Sequence, residues 1–169
     1  MKNKNLLLAL LIAIFAILSS APSAMAEHSE DSPMVRLLTS KNKSKILKDA
    51  KLKLARPFIK LTPMGILIDD INELIIYSLD MEEENDTSLL SEAKTVFKKY
   101  DLVKTIDDEK SNLHIYIDTP QNDQFSEIIL YRTRPDPTIM VFIGDFTLES
   151  LKKVGEASEN ERKHLKKNN

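Results

Sequence analysis

Residues 102–144 contain four stretches rich in alternating or β-branched apolar residues: Leu102–Ile106, Asn112–Thr119, Phe125–Arg134 and Thr138–Gly144. Each is set off from the next by a short polar turn. That spacing predicts a meander of antiparallel hairpins, because a short turn can join antiparallel strands but not parallel ones. Register then assigns faces, since residues directly opposite in a hairpin share a face of the sheet. A turn centred on Gln121-Asn122 sets Leu113 against Leu130, Ile115 against Ile128 and Ile117 against Ser126. A turn centred on Pro135-Asp136 sets Leu130 against Val141 and Ile128 against Ile143. Both place Leu113, Ile115, Ile128, Leu130, Val141 and Ile143 on one face, where helices are expected to pack.

The opposite face then holds His114, Tyr116, Ile129, Tyr131, Met140 and Phe142, a more apolar and aromatic set than water usually meets on a sheet. Two readings stay open. Residues 46–61 or the C-terminal helix cover that face, or it is an interaction face for self-association or for a partner, of which exposed apolar patches are the physical signature.

Around the meander, Ile71–Leu79 is apolar and β-branched enough for a buried strand, and the acidic run from Met81 to Asp86 is expected as a solvated loop. A helix from Thr87 or Ser88 would bury Leu89, Leu90, Ala93, Val96, Phe97 and Tyr100 on one stripe. Residues 46–61 mix strand-like and helical spacing. Pro57 suits a first helical turn, so Phe58–Met64 is expected as a short helix ended by Pro63 and Gly65. A last helix should start near Thr147 and bury Leu148, Leu151 and Val154. The reading is one α+β domain over residues 46–155, with a mostly antiparallel sheet of five or six strands, two or three helices, and a C-terminal four-strand meander followed by a helix. Residues 27–45, rich in Ser, Lys and Asn, are expected as a linker whose apolar cluster Met34, Val35, Leu37 and Leu38 could dock locally, and residues 156–169 as a polar basic tail, a frayed helix or disordered end.

Residues 1–26 read as a cleavable signal peptide: Lys2 and Lys4, then thirteen apolar residues from Leu6 to Leu18, then Ala24-Met25-Ala26. A helix of that apolar run would be roughly 20 Å long, short of the ~30 Å hydrocarbon core, so the alternative of a retained anchor is disfavoured. The mature chain is expected to begin at Glu27 in the periplasm or outside the cell, with no stable membrane insertion. Cleavage removes two lysines and no acid, leaving 22 basic against 26 acidic residues, a net charge of −4. That balance argues against a nucleic-acid partner. Without cysteine there is no thiol chemistry, no Cys-ligated zinc and no disulfide, so stability rests on a hydrophobic core.

Catalytic signals are sparse. The three histidines, at 28, 114 and 164, lack metal-binding spacing, and three glycines make no phosphate cradle. His114, Tyr116 and Asp118 on one strand face could form an acid–base cluster, although a stacked or solvated histidine is the simpler reading. Asp69-Asp70 and Asp107-Asp108-Glu109 lack the alternating ligands and turn glycine of a calcium loop and are assigned to turns. Arg132 and Arg134 could grip an anion at a hairpin tip or keep a strand end soluble. No catalytic residue, cofactor or metal is implied.

The stretches Lys53–Met64 (KLARPFIKLTPM), Ile71–Leu79 with its following helix, Tyr100–Lys104 and Ile139–Leu148 resemble domain-of-unknown-function family 4252, small exported proteins of Gram-negative bacteria. Members are similar in ending the last strand with a glycine and entering the helix through a polar and an apolar residue. The resemblance spans roughly residues 46–155. It implies export, no assigned activity, and a link to extracytoplasmic sigma-factor systems. The resulting expectation is a non-catalytic accessory or binding module of the cell envelope, whose partner is an envelope protein or a second copy. The alternative is a small periplasmic enzyme using the His114, Tyr116 and Asp118 face.

Overall fold

The computed structural model describes residues 32–41, 45–48, 63–107 and 112–167. In chain order these form α1 (Pro33–Ser40), β1 (Lys45–Lys48), a 3-10 turn (Pro63–Leu67), β2 (Ile71–Ser78), α2 (Glu84–Phe97), β3 (Asp101–Asp107), β4 (Asn112–Ile117), β5 (Gln124–Arg134), β6 (Thr138–Thr147) and α3 (Leu148–Lys167). All strand pairs are antiparallel, in the order β1-β2-β6-β5-β4-β3. The α+β class and the meander followed by a helix are as the sequence predicts. Most of the expected Phe58–Met64 helix lies outside the described residues.

Two helices differ from expectation at their starts. Within the stretch expected as a linker, Ser32 caps α1 by accepting from the Val35 N–H at 3.0 Å, and Pro33 sits in the first turn. Met34, Val35 and Leu38 are buried, so this segment is part of the core. Helix α2 begins at Glu84, inside the acidic run, because Asp86 turns inward. Its carboxylate accepts from the Tyr77 hydroxyl at 2.9 Å and from the Asp80 N–H at 2.8 Å, which satisfies a buried charge and fixes the root of the loop. At the other end, Thr147 caps α3 by accepting from the Ser150 N–H. The helix runs through Gly155 to Lys167, so the tail, expected as a frayed helix or a disordered end, is helical in its backbone.

The registers differ from expectation for a local reason in each hairpin, by two residues between β4 and β5, which keeps the faces, and by one between β5 and β6, which exchanges them. Between β4 and β5 the turn centres on Asn122-Asp123, whose φ angles of 51° and 64° suit the two positive-φ positions of a tight hairpin. Gln121 and Gln124 exchange backbone hydrogen bonds of 2.8 and 3.0 Å across it. Moving the centre by one residue moves the register by two, to Ile115 opposite Leu130 and Ile117 opposite Ile128.

Between β5 and β6 a bulge intervenes: Phe125 pairs with Phe146, but Glu127 pairs with Ile143. From there Ile128 stands opposite Phe142, Ile129 opposite Val141 and Leu130 opposite Met140. The same register already holds beside the turn, where Arg132 pairs with Thr138, so the turn centres on Pro135 and its one-residue shift from the expected pairing exchanges the two faces of β6 between the turn and the bulge. Gly144 in the bulge has a physical reason to be glycine, since a Cβ there would lie 1.9 Å from the Asp70 carbonyl oxygen. The same oxygen accepts from the Asp145 N–H at 3.0 Å.

The core therefore has two layers. Leu74, Ile76, Ile128, Met140 and Phe142 pack beneath α3 and the 3-10 turn, with Leu151 and Val154 against them. Ile75, Tyr77, Ile129, Tyr131, Val141 and Ile143 pack beneath α1 and α2. Strands β2, β6 and β5 are covered on both sides, whereas β3 alternates between exposed and half-buried and β4 is half-buried except at Ile117. Leu102 is 55% exposed and Val103 46%.

Candidate functional site

Of the six residues expected to share a partner face, the structure brings together His114, Tyr116, Ile129 and Tyr131. Met140 and Phe142 lie on the other side of the sheet, because the β5–β6 turn pairs Arg132 with Thr138, one residue off the expected register. The four that share a face are not equally covered. Ile129 is fully buried under the helices. Phe97 of α2 stacks on Tyr116, with ring centroids 4.8 Å apart and planes 2° apart, and on Tyr131 at 5.2 Å. His114 stacks in turn on Tyr131 at 5.9 Å, and its Nδ1 lies 3.2 Å from the Thr105 hydroxyl.

Among the described residues the cover stops beyond Phe97. A groove of about 650 Å³ runs between α2 and β3, with Tyr116, Tyr131 and His114 along it, Leu102 on the strand side, and Lys94 and Lys98 on the helix side. Among the described residues neither lysine has an ion-pair partner. Burial pushes the Tyr116 and Tyr131 hydroxyls up, so both are neutral phenols at ordinary pH. The groove is thus an aromatic trough with a cationic rim.

Asp118, expected beside His114 and Tyr116, is not among the groove's lining residues. Its carboxylate accepts from the Ser126 N–H, from the Ser126 hydroxyl at 2.9 Å and from the Glu127 N–H at 2.7 Å, which clamps β5 next to the bulge. The hairpin-tip arginines are likewise engaged within the chain. Arg132 donates to the Asp136 carbonyl at 3.0 Å and the Thr138 hydroxyl at 3.1 Å, and Arg134 pairs with Asp107. Asp69 and Asp70 sit in a turn, and residues 108 and 109 lie outside the described residues, as do His28 and the side chain of His164. No group of three or more acidic, histidine or cysteine side chains among the described residues could hold a metal ion.

Sequence reasoning passed over Glu127. It is 4% exposed and faces α1. The Ser32 hydroxyl donates to its Oε1 at 2.8 Å and the Tyr100 hydroxyl to its Oε2 at 2.9 Å. Ser32 also caps α1, and Tyr100 begins the descent from α2 into β3, so one carboxyl ties both helix ends to β5. Burial pushes the Glu127 carboxyl up to about 7; the Ser32 and Tyr100 hydrogen bonds oppose the rise and the Asp118 charge adds to it. The Tyr100 hydroxyl is raised too, by burial and by the Glu127 charge. A cleft of about 460 Å³ opens beside them. Both carboxyl oxygens already hold protein donors, which makes the arrangement a clamp rather than a free acid or base. The signal in the sequence is a carboxylate two residues before Ile129 and four before Tyr131, in phase with a buried face.

A family model described as a domain of unknown function, DUF4252, matches residues 40–154. The chain belongs to the DUF4252 family. No curated protein and no solved structure matches it. The DUF4252 match takes in the sheet, α2, the groove residues and Glu127, while Ser32 and α1 up to Thr39 stand before it.

Proposed function

We propose that this DUF4252 chain is a non-catalytic binding module of the cell envelope, exported through residues 1–26, and that it docks a protein through the groove between α2 and β3. One observation carries the reading: among the described residues, the helix layer that closes one face of β2, β6 and β5 stops at Phe97. An aromatic trough and an exposed Leu102 are left on a sheet whose interior is otherwise covered. The engagement of Asp118 with the β5 backbone weighs against the acid–base alternative at His114. An accessory role beside an extracytoplasmic sigma-factor system, as the family resemblance implies, fits a docking protein. Among the described residues no helix is long and apolar enough to cross a membrane.

The test is Leu102→Asp. Its side chain is exposed, so a new charge there costs little in the free protein and much in a complex. Cross-linking of the tagged chain in its own envelope fraction should lose its adducts in the variant, with the unfolding midpoint unchanged. Adducts retained at wild-type yield would refute the groove as the docking surface.

A further inference from the structure

From charge complementarity, we propose that the occupant of the α2–β3 groove is a second copy of this chain, presenting the acidic loop at the start of its own α2. The inference rests on the reading of the groove as a docking surface, and it names what docks there. The groove offers an aromatic trough rimmed by Lys94 and Lys98, one helical turn apart and exposed. At the opposite end of the same helix the loop Asp80–Glu84 carries Met81, 44% exposed, flanked by the exposed acids Asp80, Glu82 and Glu84. Glu82 and Glu84 have no ion-pair partner among the described residues.

A thioether set against tyrosine rings and carboxylates set against lysines complement the groove in both shape class and sign. The loop is held ready to do this. Leu79 N–H donates to the Pro137 carbonyl at 2.9 Å, Asp80 N–H to Asp86, and Glu82 N–H to the Asp80 carboxylate at 3.0 Å.

The two surfaces lie at opposite ends of α2, whose 14 residues span about 20 Å. Two copies related by a twofold axis, with their α2 helices antiparallel, would bring each acidic loop to the other's groove at once. The same contact is then made twice and the assembly closes as a dimer. Addition of a strand at the outer edge of β3 is the competing geometry. It is disfavoured, because β3 carries a register irregularity between Leu102 and Lys104, and Asp101, Lys104 and Asp107 along its length, features that blunt an edge.

Sedimentation velocity on protein purified from cells expressing the full coding sequence tests this. Wild type should show a concentration-dependent monomer–dimer equilibrium that weakens with added salt. Lys94→Glu with Lys98→Glu, and separately Glu82→Lys with Glu84→Lys, should each weaken the dimer by about tenfold or more while remaining folded. An equal mixture of the two variants restores opposite charge at both contacts and should recover the dimer. A wild type that stays monomeric at every concentration, either charge variant dimerising like wild type, or a mixture that fails to associate would overturn the second-copy occupant. If the wild type is monomeric yet Leu102→Asp still abolishes envelope adducts, the docking surface stands and only this occupant falls.

Discussion

Strands β2, β6 and β5 and strands β4 and β3 belong to one continuous sheet but live in different surroundings. The first three have helices on both faces, and Ile75, Ile129, Ile139 and Val141 are completely buried there. The last two have little cover beyond Phe97 among the described residues, and β3 shows water Leu102 and Val103 in succession. Covered core and exposed apolar surface are therefore separated in space. The doubly covered strands and the helices on them supply the core, and the outer hairpin carries apolar and aromatic surface that core formation did not use.

Truncation should expose that separation most strongly. Ile129→Ala, beneath α2 and between β4 and β6, should cost about 2–5 kcal/mol in chemical unfolding, the range for a cavity left in a close-packed core. Leu102→Ala in the outer hairpin should stay within about 0.5 kcal/mol of wild type, as exposed substitutions do. Equal losses from the two would erase the distinction.

The Glu127 clamp gives an effect of intermediate size with a definite sign. Its folded-state pKa of about 7 lies above its ordinary 4.5, so the protonated carboxyl favours the folded state. The stabilisation is complete below about pH 4.5 and is lost as pH rises through 7, a change of about 3 kcal/mol. Urea midpoints should therefore fall between pH 5 and pH 8.5 in wild type, and Glu127→Gln, which cannot ionise, should flatten that fall. A variant that follows the wild-type profile would mean that another group carries the pH dependence.

Much of this architecture was legible in the sequence. Period-two alternation and the short turns marked the four strands of the meander, and helical spacing from Leu89 to Phe97 marked the core stripe of α2. What the pattern could not show was register. Gln121-Asn122 and Asn122-Asp123 are both plausible turn centres, and only the second gives positive φ to Asn122 and Asp123 together. The bulge at Gly144 answers to the Asp70 carbonyl, a contact across 74 positions of chain that no local pattern encodes. The one-residue shift at the β5–β6 turn, where Arg132 pairs with Thr138, puts Met140 and Phe142 on the face away from His114 and Tyr116, so four of the six residues expected on the partner face share it and the face is smaller in extent.

Charged residues misled in the same way. Asp86 sits in a run that reads as solvated and Glu127 was passed over within a strand, but partners distant in sequence, Tyr77 for Asp86 and Tyr100 and Ser32 for Glu127, make their burial tolerable. In α1, a short apolar cluster among polar neighbours was too brief to signal a core helix.

Residue-resolved amide hydrogen exchange on the full chain tests the central claim most directly, because it reads local stability strand by strand. The account predicts that amides of Ile75, Ile129 and Val141 exchange only through global unfolding, whereas those of Leu102 to Ile106 exchange through smaller local openings at low protein concentration. Protection at Leu102 and Tyr116 should then rise as concentration increases and the groove is filled. Protection of β3 equal to that of Val141 in dilute protein would show that the outer hairpin belongs to the core and would contradict the account.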